Sequence, residues 1–205
     1  MPFFLKGFFL SLSLIVAIGA QNAFVIKQGM VKNHIFIVSG ICFICDVVLM
    51  GLGVFGVGAF LAKNKILNLL IASIGILFVL YYGFLSLKSA FAPQSSPKFS
   101  PSNPLPLKKT ILLTLAVTLL NPHVYLDTVF VIGASALMFS LGQKLLFALG
   151  ASTASCLWFF GLGYGAFKLS QILSKITKLL DLLIALVMFF VAFSLIRYVW
   201  LLVGH

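Results

Sequence analysis

The sequence predicts an all-α integral membrane protein. It has six transmembrane helices as two inverted three-helix repeats, with the fourth helix broken at Asn121-Pro122. Three observations carry this expectation. Hydrophobic residues make up 62% of the 205 and charged residues 8%, where a soluble domain carries roughly 25% charged. Six apolar stretches each reach the ~20 residues a helix needs to cross a bilayer. A single long polar connection then divides them three and three.

The expected spans are 3–26, 35–61, 66–90, 110–139, 145–167 and 179–203. The first opens like a signal peptide, with Lys6, an apolar run and Ala17-Ile18-Gly19 as a poor cleavage site. The run continues through Ala23-Phe24-Val25-Ile26, so a retained span is expected. The second span contains Asp46, and the third ends near Lys88. Between the third and fourth lies 91–109, with prolines at 93, 97, 101, 104 and 106, which reads as an extended linker. The fourth span alone carries an internal proline, Pro122. Proline removes an N–H donor and clashes with the carbonyl one turn back, so this helix kinks or breaks. The sixth span is preceded by the basic stretch from Lys168 to Lys178.

One transmembrane domain, 1–205, is expected, with repeat one at 1–90, the linker at 91–109 and repeat two at 110–205. Gly40, Gly51 and Gly53 recur at one offset as Gly150, Gly161 and Gly163, and Asn22 has a counterpart in Asn121. Three spans per half is an odd number, so the halves insert in opposite orientations. Inverted repeats with a site at their interface are a recurring transporter plan. The connections after spans one, three and five hold most of the positive charge, including Lys27, Lys32, Lys98, Lys108, Lys109 and Lys175. The positive-inside rule puts them, and the linker, in the cytoplasm. Both termini then face outward.

The formal net charge is +11. The basic residues cluster at span ends, where they anchor helices, and no basic run is interleaved with aromatics. Nucleic acid is therefore not an expected partner; the lipid bilayer is. The three cysteines, Cys42, Cys45 and Cys156, lie in apolar segments and imply no disulfide framework. There is no nucleophile–base arrangement or phosphate loop, so the chain does not read as an enzyme.

The chain has three acids, Asp46, Asp127 and Asp181, and no glutamate. A carboxylate inside a span is costly, and by default it marks a pathway for a cation or a proton. Asp46 and Asp127 both lie in spans. Asp127 stands four residues beyond His123, on the same helical face, with Tyr125 pointing elsewhere. Around Asn121 and Pro122 the broken helix frees backbone groups that can face an anion or a cation. In the first span, Gln21 and Asn22 are adjacent amides. They serve either as interhelical glue or as the lining of a polar cavity at a bend. Asp181 reads as a helix-start acid or a partner of Lys178. Cys42-x-x-Cys45 reads as core in preference to a redox pair.

Taken together, these segments resemble the lysine/arginine exporter (LysE) family of bacterial inner-membrane transporters. The resemblance rests on Gly19-Ala20-Gln21-Asn22-Ala23-Phe24, Gln28-Gly29, Cys45-Asp46 with Leu49-Met50, and above all Asn121-Pro122-His123-Val124-Tyr125-Leu126-Asp127-Thr128-Val129 with Gly133. It is closest to the basic amino acid branch, that of arginine outward transporters. It implies a multi-pass protein of the inner (cytoplasmic) membrane. It also implies export of arginine, lysine or analogues such as canavanine, coupled to the proton motive force. No cofactor or metal is implied, and a homo-oligomer is compatible with it.

The residues fit that expectation. A cationic side chain wants a carboxylate, which Asp46 or Asp127 can supply. An α-carboxylate wants amide donors, which Asn22 and the Asn121-Pro122 break can supply. Export of a positive charge against an inside-negative potential costs ~2.3 kcal/mol per 100 mV, so coupling is needed. An aspartate that alternately holds a proton and the cargo cation provides it. Two other readings stand beside it. A divalent metal exporter would need more ligands than Cys42, Cys45, Asp46, His123 and Asp127 offer. A membrane thiol-disulfide carrier would depend on the cysteines.

Overall fold

The computed structural model describes residues 1–16, 19–56, 65–91, 105–171 and 177–203. Most of the expected 91–109 linker lies outside the described residues. Every regular element among the described residues is helical. The first expected span is two helices, α1 (Pro2–Ile15) and α2 (Ala20–Met30). The second and third are α3 (Ile35–Val54) and α4 (Lys65–Phe91). The fourth is a series: α5 (Leu107–Leu119), α6 (Pro122–Tyr125), a π-helical turn (Leu126–Val131) and α7 (Ile132–Ser135). Then follow α8 (Leu141–Lys168) and α9 (Thr177–Val203).

Both α3 and α8 are long and apolar enough to cross a membrane, and α1 with α2 meets the same test as one span bent by 77°. The span expected over 3–26 is thus divided, next to the Gln21-Asn22 pair for which a bend is one of the two readings. Gly19 is extended, at φ −121° and ψ −171°, and α2 starts afresh after it. The carbonyl freed at the end of α1 is not left bare: Asn22 Nδ2 donates to Ile15 O at 2.7 Å. The other break falls where Pro122 required it. α5 ends at Leu119 and the helix resumes with Pro122 as its first residue, the position where a missing N–H costs least. The π turn beyond it has no forewarning in the sequence. Such turns insert an extra residue and shift the helical phase, and they often mark functional sites.

Polarity is distributed as it is in lipid-dissolved proteins. Large apolar side chains such as Phe36, Ile44, Val48, Leu149, Leu157 and Phe190 face outward. Asn22, Gln28, Asp46, Thr118, Asn121 and Ser155 are buried. α1 and α2 pack along α8. α3 packs on α8 and also on α5, the π turn and α7, while α4 and α9 pair with each other and α9 reaches α2. Glycines allow the closest crossings. A Cβ on Gly133 would stand 2.7 Å from the Gly53 carbonyl oxygen, and one on Gly29 would stand 2.9 Å from that of Gly163.

The apolar interior falls into two main clusters. One gathers Phe24, Val38, Cys42, Val117, Phe159 and Met188. The other gathers Met50, Val54, Ile132, Phe147 and Ala151. Along α3, Asp46 lies between Cys42 and Met50. Along α8, Ser155 lies between Ala151 and Phe159. The two clusters therefore bracket a polar layer near the middle of both helices.

Candidate functional site

Asp46 is the centre of that layer. It is 2% exposed, and Ser155 Oγ donates to its Oδ2 at 2.8 Å across the α3–α8 contact. Asp127, half-buried in the π turn, lies within electrostatic reach of it. The two acids singled out by the sequence, 81 residues apart in the chain, thus lie on packed elements, α3 and the π turn, within range of each other's charge. Two like charges in a poor solvent are mutually unfavourable. A cation, or a proton on one of them, relieves that.

Gln21 reaches the same layer from the first turn of α2. Its amide stands beside the Asp46 carboxyl and the Cys42 thiol, yet Nε2 is buried without a hydrogen bond of good geometry among the described residues. A buried donor left idle is costly and calls for an explanation. A ligand that binds only part of the time is one. Gln21 stands in the first turn of α2, the end of a helix that carries the positive end of its dipole.

Asn22 is differently employed. Its Nδ2 closes the α1–α2 break on Ile15 O, and its Oδ1 accepts from Trp158 Nε1 at 3.1 Å. Of the two readings left open for this amide pair, Asn22 takes the structural one here and Gln21 faces the acids. Asn121 is buried at the other break, where its carbonyl accepts the Val124 N–H at 3.1 Å. Tyr125, expected to point away from Asp127, packs against the cluster of Leu49, Val124 and Val129 and comes within reach of Cys45. The side chains of Pro122 and His123 lie outside the described residues. Cys42 Sγ is 3.8 Å from Thr118 Oγ1, and all three cysteines are free thiols. Among the described residues no three His, Cys or Asp side chains converge as metal ligands.

Sequence reasoning missed Ser155, Trp158 and Thr118. One signal for Ser155 was present: the glycine offset between the halves maps Cys45-Asp46 onto Ser155-Cys156. Asp181 was also misread. It lies beyond the first turn of α9, and its ion-pair partner is Lys27 of α2, across the bundle. Three acids were visible in the sequence, but which lysine would meet the third depended on tertiary packing.

The chain matches the family model described as LysE type translocator over residues 12–199. It is 39% identical over 93% of its length to a candidate amino-acid transporter, YggA, of Aeromonas salmonicida, covering 94% of that protein. It is 39% identical over 95% of its length to the arginine exporter protein ArgO of Yersinia enterocolitica, covering 96% of it. A further arginine exporter protein ArgO, from Salmonella typhimurium, is 37% identical over 95% of this chain and 93% of its own length. No solved structure matches the chain.

Proposed function

The chain belongs to the LysE family of translocators, and from that premise we propose that it exports basic L-amino acids, arginine and lysine, from the cytoplasm by proton antiport. The observation that carries the reading is buried Asp46 between two apolar clusters, with Ser155 and the Gln21 amide beside it and Asp127 within range of its charge. A basic amino acid brings two cationic groups and one carboxylate. The aspartates suit the cationic groups. Gln21 Nε2 and the backbone N–H groups opening α2 suit the carboxylate, as half-helix N-termini do in other transporters.

The coupling follows from charge. One carboxylate cannot hold a proton and a cargo cation with full strength at once. Loading the cargo on the inside expels the proton, and release outside lets a proton return. Arginine is the first cargo to test, because two of the relatives above are named as arginine exporters.

The architecture proposed is six spans in two inverted repeats. Its support is reciprocity. The broken first span of each half packs on the second span of the other, second pairs with second, and third with third. Even the glycine crossings exchange: Gly29 of the first half meets Gly163 of the second, and Gly133 of the second meets Gly53 of the first.

The test is efflux of labelled arginine, lysine and a neutral amino acid from proteoliposomes, with and without a proton gradient. Gradient-dependent movement of the basic amino acids, lost in Asp46→Asn and Asp127→Asn, is expected. Full transport in both single variants would refute the shared-carboxylate mechanism.

A further inference from the structure

The third acid is not used by this mechanism. Asp181 is buried in α9, its side chain 4% exposed, and Lys27 Nζ sits against it with its own side chain 14% exposed. The two come from different halves of the chain. They meet at the end of the bundle that the lysine distribution assigns to the cytoplasm. The next residue on α2, Gln28, is fully buried. Its Oε1 accepts from Asn33 Nδ2 at 3.0 Å, and the same Asn33 amide reaches Thr110 Oγ1 of α5 at 3.2 Å. Its Nε2 has no partner among the described residues. The inner end of α2 is thereby tied to α9 by charge and to α5 by hydrogen bonds.

Stability alone is a weak reason for such a pair. Apolar residues of similar volume commonly hold a buried interface as well as an ion pair does, and this chain has an acid at only three positions. The chemistry of the pair supplies a better reason. Lys27 presents to Asp181 the same ammonium group that a lysine cargo carries at its side-chain end. We propose, building on the exporter reading, that Asp181 is a second cation-binding site at the cytoplasmic mouth of the path, occupied by Lys27 as a tethered stand-in until the cargo's side-chain cation displaces it.

The exchange is neutral in charge. One cation replaces another, so the buried carboxylate is never left uncompensated. A neutral amino acid cannot make this exchange, because it would take the Lys27 cation from a buried carboxylate and bring none in its place. The mouth therefore selects for charge before the cargo reaches Asp46. Gln21 and Lys27 are six residues apart on α2, about 9 Å along its axis. That is a short step from the mouth to the central acids. Displaced Lys27 also releases α2 from α9, which opens the inner end as the cargo binds.

The experiment uses the full chain in proteoliposomes of known orientation, with labelled arginine on the cytoplasmic face and equilibrium arginine binding measured in parallel. A tethered group competes at an effective concentration on the order of millimolar. Removing it in Lys27→Met is expected to lower KM and Kd for arginine about tenfold. Asp181→Asn is expected to raise both about tenfold. Lys27→Met/Asp181→Asn leaves no stranded charge, so it guards against misfolding of the single variants; its KM and Kd are expected to stay high. If the double variant instead regains wild-type KM, Kd and rate, the pair is only structural and the inference fails. Wild-type export with unmoved KM in all three variants overturns it as well. A wild type that neither binds nor moves any basic amino acid would overturn the exporter reading first, and this site with it.

Discussion

Ser155→Ala isolates one hydrogen bond and tests whether Asp46 works as a charged carboxylate. The Ser155 hydroxyl donates to Asp46 Oδ2 at 2.8 Å, and both residues are buried. Bonds to a charged group contribute about 1.5–3 kcal/mol. The change removes only one oxygen atom, and the neighbouring Gln21 amide is left as a side-chain donor beside the carboxylate. If cargo binds to ionised Asp46, that energy appears in the cargo-bound state, and arginine binding should weaken roughly tenfold to a hundredfold. Ser155→Thr keeps the hydroxyl and should recover most of the loss. The assay is equilibrium binding and initial efflux of labelled arginine, with the folded fraction followed by thermal unfolding in detergent. The reasoning is refuted if Ser155→Ala binds and exports like the wild type while Asp46→Asn is inactive. It is equally refuted if the loss in Ser155→Ala is fully explained by a smaller folded fraction.

Other substitutions probe the surrounding frame. Trp158→Phe removes the indole donor to Asn22 Oδ1; loss of that hydrogen bond should cost about 0.5–1.5 kcal/mol, read as a lower Tm with slowed efflux. Gly133→Val places a side chain against the Gly53 carbonyl and should destabilise by about 1–3 kcal/mol through overpacking. The loss should be visible as reduced monodisperse yield and lower Tm. Replacing Cys42, Cys45 and Cys156 together by alanine should leave proton-coupled arginine efflux near wild type, because the thiols are free and Cys42 packs within the apolar interior. Efflux abolished in a folded cysteine-free protein would instead favour the thiol carrier.

The parts of the fold governed by local chemistry were legible in the sequence. Pro122 fixes a break wherever it falls in a span, and the helix does restart there. Burial of Asp46 followed from its apolar surroundings, because lipid offers a carboxylate nothing. The break between α1 and α2 has no proline to announce it. Gly19 permits it and Asn22 closes it, and an Asn two turns beyond a carbonyl is not a recognisable signal. The π turn depends on how α3 presses against 126–131, which no local pattern encodes. Partners across the bundle were the least legible. Ser155 and Trp158 are ordinary span residues until α8 is laid beside α2 and α3. Asp181 offers several nearby lysines in sequence and meets one from the opposite half.

On the inverted-repeat architecture proposed above, the Lys27–Asp181 pair is one place where the two halves differ. If the halves are inverted repeats, exchanging their conformations turns an inward-facing state into an outward-facing one of similar contacts, and the Gly29–Gly163 and Gly133–Gly53 crossings survive the exchange because each is the other's counterpart. A fully symmetric protein would hold both states at equal energy, and only the gradients would decide between them. Lys27–Asp181 breaks that equality. Mapped by the glycine offset, the position matching Asp181 in the first half is Ile71, so the outer end cannot make the same ion pair. On the exporter reading proposed above, the pair would bias the resting protein towards a closed cytoplasmic end, and a cation able to replace Lys27 would lift the bias. The inner mouth would then stay shut to protons between cargo molecules, and dissipation of the gradient by empty cycling would fall with the fraction of time the pair is made. Breaking the pair with two neutral residues should therefore raise proton leak in the absence of cargo, measured as dye-reported acidification of proteoliposomes. An unchanged leak in a folded double variant would show that the closed end owes nothing to the ion pair.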